Sequence, residues 1–291
     1  MEVYYDLSQS PATHDIVYFL ARAEDLRIQN GHKDLQVRIV DGDRMMTPRD
    51  VLYTHERKQW RIHNLLVPVC RLLPSVTDVS MGLGKQTIPY SAIEKPRAAI
   101  FKSPEIARSI VVKAIETYAN PVTISIRQTD FNAIRNSRMK EWLIVASWLL
   151  DNGYTPIFIP DIEAEIIGKS HEHDYPVYRA ATYNHALRLA LYELSVANLM
   201  TSGGFFGMSM LCDIPMMAFK LVTPNLGACT AEYLTRISIT PAADWGQYKK
   251  LFWEQDTADF IIPQLEKHLP MFCERERPLH HDVYKLTQRV Q

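Results

Sequence analysis

Between residues 122 and 221, short apolar runs alternate with longer amphipathic stretches, and this order restricts the fold more than any other feature of the sequence. The runs Val122 to Ile126, Pro156 to Ile159, Asn198 to Thr201 and Met216 to Leu221 have the length of strands and are largely apolar. Helical stretches separate them at Ser137 to Asn152, Tyr183 to Ala197 and from Gly203 onward, and Gly153 closes the first. Strands joined through helices pair in parallel by right-handed crossovers. Strands apolar on both sides are those that helices cover on both faces. The sequence therefore predicts an α/β chain with a buried parallel sheet in this half.

The earlier half carries a weaker version of the same order. Val3 to Leu7 reads as a strand, and a helix follows with Ile16, Phe19, Leu20, Ala23 and Leu26 on one face and Gly31 after its end. Leu35 to Val40 and Thr77 to Met81 read as further strands. Between them Thr54 to Leu73 reads as a helix broken by Pro68, with Trp60, Leu65, Leu66 and Leu72 as core candidates. Gly82 to Pro104 has no period and suits a connection, whereas Pro104 opens a helix running to about Ala119. Two domains are expected, 1–104 and 105–291, because 291 residues suffice for two cores.

With 47% AVILMFWYC, 22% DEKR and a formal net charge of −1, the chain is neither disordered nor drawn to nucleic acid or acidic membranes. No apolar run approaches the roughly 20 residues of a membrane span, and MEVYYDLSQS has no basic segment followed by an apolar one, so the cytoplasm is the expected compartment. Cys70, Cys212, Cys229 and Cys273 form no C-x-x-C pair and are expected as buried thiols.

In open α/β sheets, ligands bind beyond the carboxyl ends of the strands, where helix N-termini attract anions. Four loops meet that description: Arg127 to Asn136, the loop opened by Asp161 and Glu163, Thr201 to Gly204, and Lys220 to Asn225. Arg127 and Arg135 flank a helix start that Asn136 or Ser137 would cap, which is phosphate-site chemistry. Asp130 would orient an arginine or accept from a sugar hydroxyl; alternatively Arg135 pairs with Asp130 or Glu141 as a surface ion pair. Ser202, Gly203 and Gly204 would admit a phosphate to the backbone, or simply make a tight turn. Asp161 would bind ribose or sugar hydroxyls or cap the next turn, and Lys220 would neutralise phosphate or mark the strand end.

These residues carry a resemblance. The stretch "ISIRQTD", Ile124 to Asp130, resembles the H-x-R-R-T-D segment of the fucosyltransferase-like branch of GT-B glycosyltransferases, with Ser125 at the histidine and Gln128 at the second arginine. "LMTSGGFFGMSMLCDIPMMAFKL", Leu199 to Leu221, resembles their later strand, glycine turn, helix and closing strand, and most of the chain is similar to uncharacterised bacterial glycosyltransferase-like proteins. The resemblance implies two Rossmann-like domains in a GT-B-like arrangement, facing across a cleft, the N-terminal one small and on the acceptor side. It further implies a nucleotide-sugar donor held by residues 105–291 without a metal or other cofactor, and transfer to a glycan or other hydroxyl acceptor.

Such transfer needs a base for the acceptor hydroxyl, and His14 and Asp15 at a helix start are the candidates; Asp15 would equally cap that helix. Two other functions fit the same fold, a non-catalytic nucleotide-sugar or partner-binding protein and a nucleotide-sugar epimerase. Asp41-Gly-Asp43 has the D-x-D form of a metal site and also the form of a turn. His171-Glu-His-Asp174 and His280-His281 contain metal-ligand types but no distant partner, so solvated loops are expected. Trp142 is expected in the core with Leu149.

Overall fold

A computed structural model of the chain describes residues 1–42, 54–83, 88–89, 99–130, 132–166, 173–223 and 227–276. It divides into two compact units, Met1–Lys102 with Gly207–Cys212, and Ser103–Phe206 with Asp213–Gln291.

The first unit contains a parallel sheet in the order β1-β2-β3, formed by β1 (Glu2–Asp6), β2 (Leu35–Val40) and β3 (Val76–Gly82). Helix α1 (Ile16–Gln29) buries Ile16, Val17, Phe19, Leu20 and Ala23, the stripe its spacing predicts, and Gly31 follows at φ +66°. The helical reading of Thr54 to Leu73 resolves into α2 (His55–Arg61), a π-helical turn at Ile62–Leu66 and α3 (Val67–Cys70). Pro68 lies in the first turn of α3, and the wide turn before it takes up the break in the hydrogen-bond ladder that a proline imposes. Leu65, Leu66 and Leu72 are buried as expected. Trp60 is not: it is 41% exposed on α2, which buries none of its residues.

The second unit holds a five-stranded parallel sheet in the order β5-β4-β6-β7-β8. Its elements are α4 (Glu105–Ile115), β4 (Pro121–Ser125), α5 (Met139–Asp151), β5 (Thr155–Ile159), α6 (Ile162–Ile166), α7 (Ala180–Tyr183), α8 (His185–Leu194) and β6 (Ala197–Thr201). Then come α9 (Phe206–Met210), whose later residues cluster with the first unit, β7 (Met216–Phe219), α10 (Ala231–Arg236), β8 (Lys249–Leu251) and α11 (Ala258–Cys273). The chain moves outward from β4 to β5 through α5, then back across β4 to β6 through α8. Right-handed crossovers consequently put α5 and α8 on opposite faces. Residues of β4, β6 and β7 are buried throughout, as their composition predicts, and Val122, Ile124, Trp142, Leu149, Phe219, Ile261 and Leu265 share one core with α5 and α11.

Three details depart from the sequence reading. The helix expected from Tyr183 to Ala197 stops before Ser195 and is interrupted at Asn184, whose Oδ1 accepts from the amides of Ala186 and Leu187 and so starts α8 afresh. The helix expected from Gly203 starts only at Phe206. Cys70, Cys212 and Cys229 are buried, but Cys273, at the end of α11, is exposed. Among the described residues no helix is long and apolar enough to cross a membrane.

Candidate functional site

The carboxyl ends of β4, β5, β6 and β7 bring the four loops of the second unit to one crest. After β4, the chain is tied into a rigid loop by its own side chains. Ser137 Oγ accepts from the Arg127 amide at 2.9 Å, and the Ser137 amide donates back to the Arg127 carbonyl at 2.9 Å. The Arg127 guanidinium is buried and donates through Nη1 to Asn136 Oδ1 (2.5 Å) and to the Asn132 carbonyl (3.2 Å). Asn136 Oδ1 also accepts from the Thr129 amide, and its Nδ2 donates to the Thr129 carbonyl. Asn132 occupies the left-handed region at φ +54°, which asparagine tolerates better than most residues. Asn136 and Ser137 thus close the loop around Arg127 rather than projecting from it. Asp130 is exposed on the same loop.

Arg135, eight residues after Arg127, meets the glycine turn. Its Nη2 donates to both the carbonyl and the Oγ of Ser202 at 2.6 Å, so a guanidinium is fixed against the first residue of Ser202-Gly203-Gly204. Glu141, one of the two acids considered as its partner, instead accepts from the Ala258 amide, at the start of α11. Gly203 does not occupy the left-handed region, and a Cβ built on it would meet only the Thr201 carbonyl at 3.8 Å. The chain's own packing therefore leaves room for a side chain at Gly203. Among the described residues, the Gly203 and Gly204 amides donate to no protein acceptor.

Two further groups brace the crest. Asp161 Oδ1 accepts from the Glu163 amide and Oδ2 from the Gln128 amide, so this carboxylate caps the short helix α6 and links the β4 and β5 loops. Burial raises its pKa, against the lowering influence of those two amides and of Arg127. Lys220 is buried with φ +54°, and its Nζ donates to the Asn136 carbonyl at 2.7 Å and lies 3.4 Å from Asp256 Oδ1. Asp256 is wholly buried; its Oδ2 accepts from the Arg138 amide and from Trp142 Nε1. The lysine and aspartate together pin both ends of the arginine loop to the core.

Sequence reasoning missed Asp256, which lies in a stretch without helical or strand period. It also missed Tyr192 and Arg188, and it named Ser125 only as standing at the motif's histidine. Ser125 Oγ shares a hydrogen bond of 2.5 Å with the Tyr192 hydroxyl, which accepts from Arg188 Nε at 2.9 Å. Tyr192 and Arg188 are four apart on α8, a spacing that places them on one face.

In the first unit, Asp15 precedes α1 but makes no side-chain cap; its carboxylate accepts from Thr13 Oγ1 at 2.9 Å, and the His14 carbonyl accepts from the Val17 amide. The carboxylate of Asp41 lies 2.8 Å from Lys58 Nζ, a hydrogen bond that lowers its pKa. Asp43, His171, Glu172, His280 and His281 lie outside the described residues, while the His173 ring packs 4.4 Å from that of Phe158. Among the described residues no group of three His, Cys, Asp or Glu could hold a metal ion.

No protein-family model and no curated protein matches the sequence. Solved structures do match in shape. A glycosyl transferase family 9 protein from Veillonella parvula superposes with a TM-score of 0.50 at 12% identity, over 93% of this chain and 97% of that one. This likeness establishes the fold. Two Rossmann-like units in one chain are the composition of the GT-B fold. The E. coli heptosyltransferase WaaC with ADP-2-deoxy-2-fluoro heptose (TM-score 0.46, 12% identity, 92% of this chain and 99% of that one) also aligns. So does the E. coli ADP-heptose lps heptosyltransferase II (0.44, 10%, 93% and 76%).

Proposed function

We propose that the chain is a glycosyltransferase that holds a nucleotide-sugar donor at the crest of its second unit and moves the sugar to a hydroxyl acceptor, the first unit serving the acceptor. The observation that carries this reading is the pairing of Arg135 with Ser202 beside two glycine amides that have no protein acceptor among the described residues. As the bond from the anomeric carbon to the donor's diphosphate lengthens, negative charge collects on the phosphate oxygens. A guanidinium and backbone N–H groups already in position stabilise that charge without reorganising. The braced loop around Arg127, with Asp130, Asn136, Ser137, Asp161 and Lys220, keeps Arg135 at the turn, and no metal is needed for this role. His14 and Asp15 remain the candidates for taking the acceptor proton.

The test is release of nucleotide from a panel of nucleotide sugars with hydroxyl acceptors, together with calorimetric binding of UDP, GDP and ADP. Arg135→Ala is expected to weaken the tightest of these nucleotides by about tenfold or more, the worth of a lost charged hydrogen bond. Absence of binding by the unaltered protein would overturn the reading. Binding without turnover would instead favour a non-catalytic nucleotide-sugar-binding protein, a reading to which Ser125 and Gln128 lend support by departing from the transferase motif.

A further inference from the structure

The glycine turn has a second arginine at its far end. Phe205 follows Gly204 directly, and the Arg188 guanidinium carbon lies 4.7 Å from the Phe205 ring centroid and 5.6 Å from that of Tyr192. Its Nε is bound to the Tyr192 hydroxyl, and Tyr192 is wholly buried, so that hydroxyl is fixed in turn by Ser125 on β4. One edge and the face of the guanidinium are thereby committed. Among the described residues no acceptor and no carboxylate pairs with the two Nη groups. Glu193, the nearest acid in sequence, is buried and serves the Ser103 amide and Arg108. A guanidinium held in this way presents a planar, bidentate pair of donors to an anion.

His185, beside Arg188 on this face, adds no charge. His185 packs on the same phenylalanine, ring centroids 5.7 Å apart, and burial together with the nearby Arg188 pushes its pKa down to about 3, so it is neutral at physiological pH. We propose that Arg188 is a second anion-binding residue, meeting a diphosphate from the Phe205 end of the glycine turn as Arg135 does from the Ser202 end, and that Ser125 and Tyr192 are the positioning residues that aim it. This rests on the reading of the crest as a diphosphate site. It extends that site across the sheet, since Arg188 stands on α8 and the Arg127 loop leads into α5 on the opposite face.

The experiment is calorimetric titration of the full chain with UDP, GDP, ADP and inorganic pyrophosphate. Arg188→Ala is expected to raise the Kd of the tightest ligand by about tenfold. Arg188→Lys, which keeps the charge and the stem, is expected to recover only part of that loss. Tyr192→Phe keeps the ring and loses only the hydroxyl; it is expected to weaken binding about threefold and to lower the unliganded Tm, because the buried Ser125 hydroxyl loses that partner. The same change made in an Arg188→Ala background is expected to add nothing to the loss of binding, whereas a merely structural role for Tyr192 would add its full effect. Arg236→Ala, on an exposed residue of α10, controls for the loss of one positive charge. If Arg135→Ala weakens binding and Arg188→Ala behaves like Arg236→Ala, the Arg188 inference fails while the diphosphate reading stands. If the unaltered protein binds none of the four ligands, both fail.

Discussion

Each unit holds a lysine against an aspartate beyond its strand ends, and the two pairs differ in burial. In the first unit Lys58 and Asp41 meet at 2.8 Å, with half the aspartate side chain in solvent. In the second, Lys220 and Asp256 lie at the longer distance of 3.4 Å, but both are buried, and each has a further bond to the arginine loop or its flanking helix. Length of contact is therefore a poor guide to what a pair does. The first pair opens to water on its aspartate side and is partly screened there. The buried pair cannot lose either member without stranding the other, and so it fixes the geometry of the loop that presents Arg135.

Breaking the buried pair should have the largest effect. Asp256→Ala leaves an uncompensated ammonium in the core and two donors without their acceptor; a loss of about 3–5 kcal/mol is expected from urea unfolding. His185 is the next test, because its burial makes acid costly to the second unit. Its folded pKa, about 3, lies below the ordinary 6.5, so the neutral form must be kept on folding. Its contribution is constant above about 6.5 and is lost as pH falls from there towards 3, at up to ~1.4 kcal/mol per pH unit. His185→Phe is expected to flatten the Tm profile over that window, and an unchanged profile would assign the acid sensitivity elsewhere.

Smaller effects sharpen the same contrast. Gly203→Ala is expected to stabilise the unliganded chain by about 0.4–1 kcal/mol, since a Cβ fits there, while weakening nucleotide binding at the turn. A variant that is both less stable and unaltered in binding would show that the glycine serves the fold alone. Lys58→Ala should cost less stability than Asp256→Ala, because Asp41 is half open to water, and an equal loss would make the first unit's pair resemble the second's.

β1 to β7, and the parallel order of the second unit, were legible because apolar runs and helical stripes are local signals, whereas the three-residue β8 was not read. β2 is found over Leu35–Val40 as read, and α1 buries the stripe its spacing predicts. That Arg135 and the glycine turn share one rim followed from loops that lie beyond strand ends, and the guanidinium meets Ser202 there. What escaped was set by distant partners. Asp256 lies 118 residues from the Arg138 amide it accepts from, and Ser125 lies 67 from Tyr192. α11 escaped for a local reason: Pro263 and Pro270 lie inside it, and proline reads as a helix breaker. Trp60 misled because an aromatic in an amphipathic stretch reads as core, yet α2 has no buried face.

Lys220 carries one last consequence. A backbone in the left-handed region favours glycine, and a lysine there is strained by about 1 kcal/mol or more. Engineering for thermal resistance would accordingly choose Lys220→Gly on dihedral grounds, and would thereby remove the only ammonium that reaches both Asp256 and the Asn136 carbonyl among the described residues. At this position the chain tolerates a contorted main chain in order to seat a cation, so a stabilising redesign guided by torsion angles alone would loosen the arginine loop it meant to preserve.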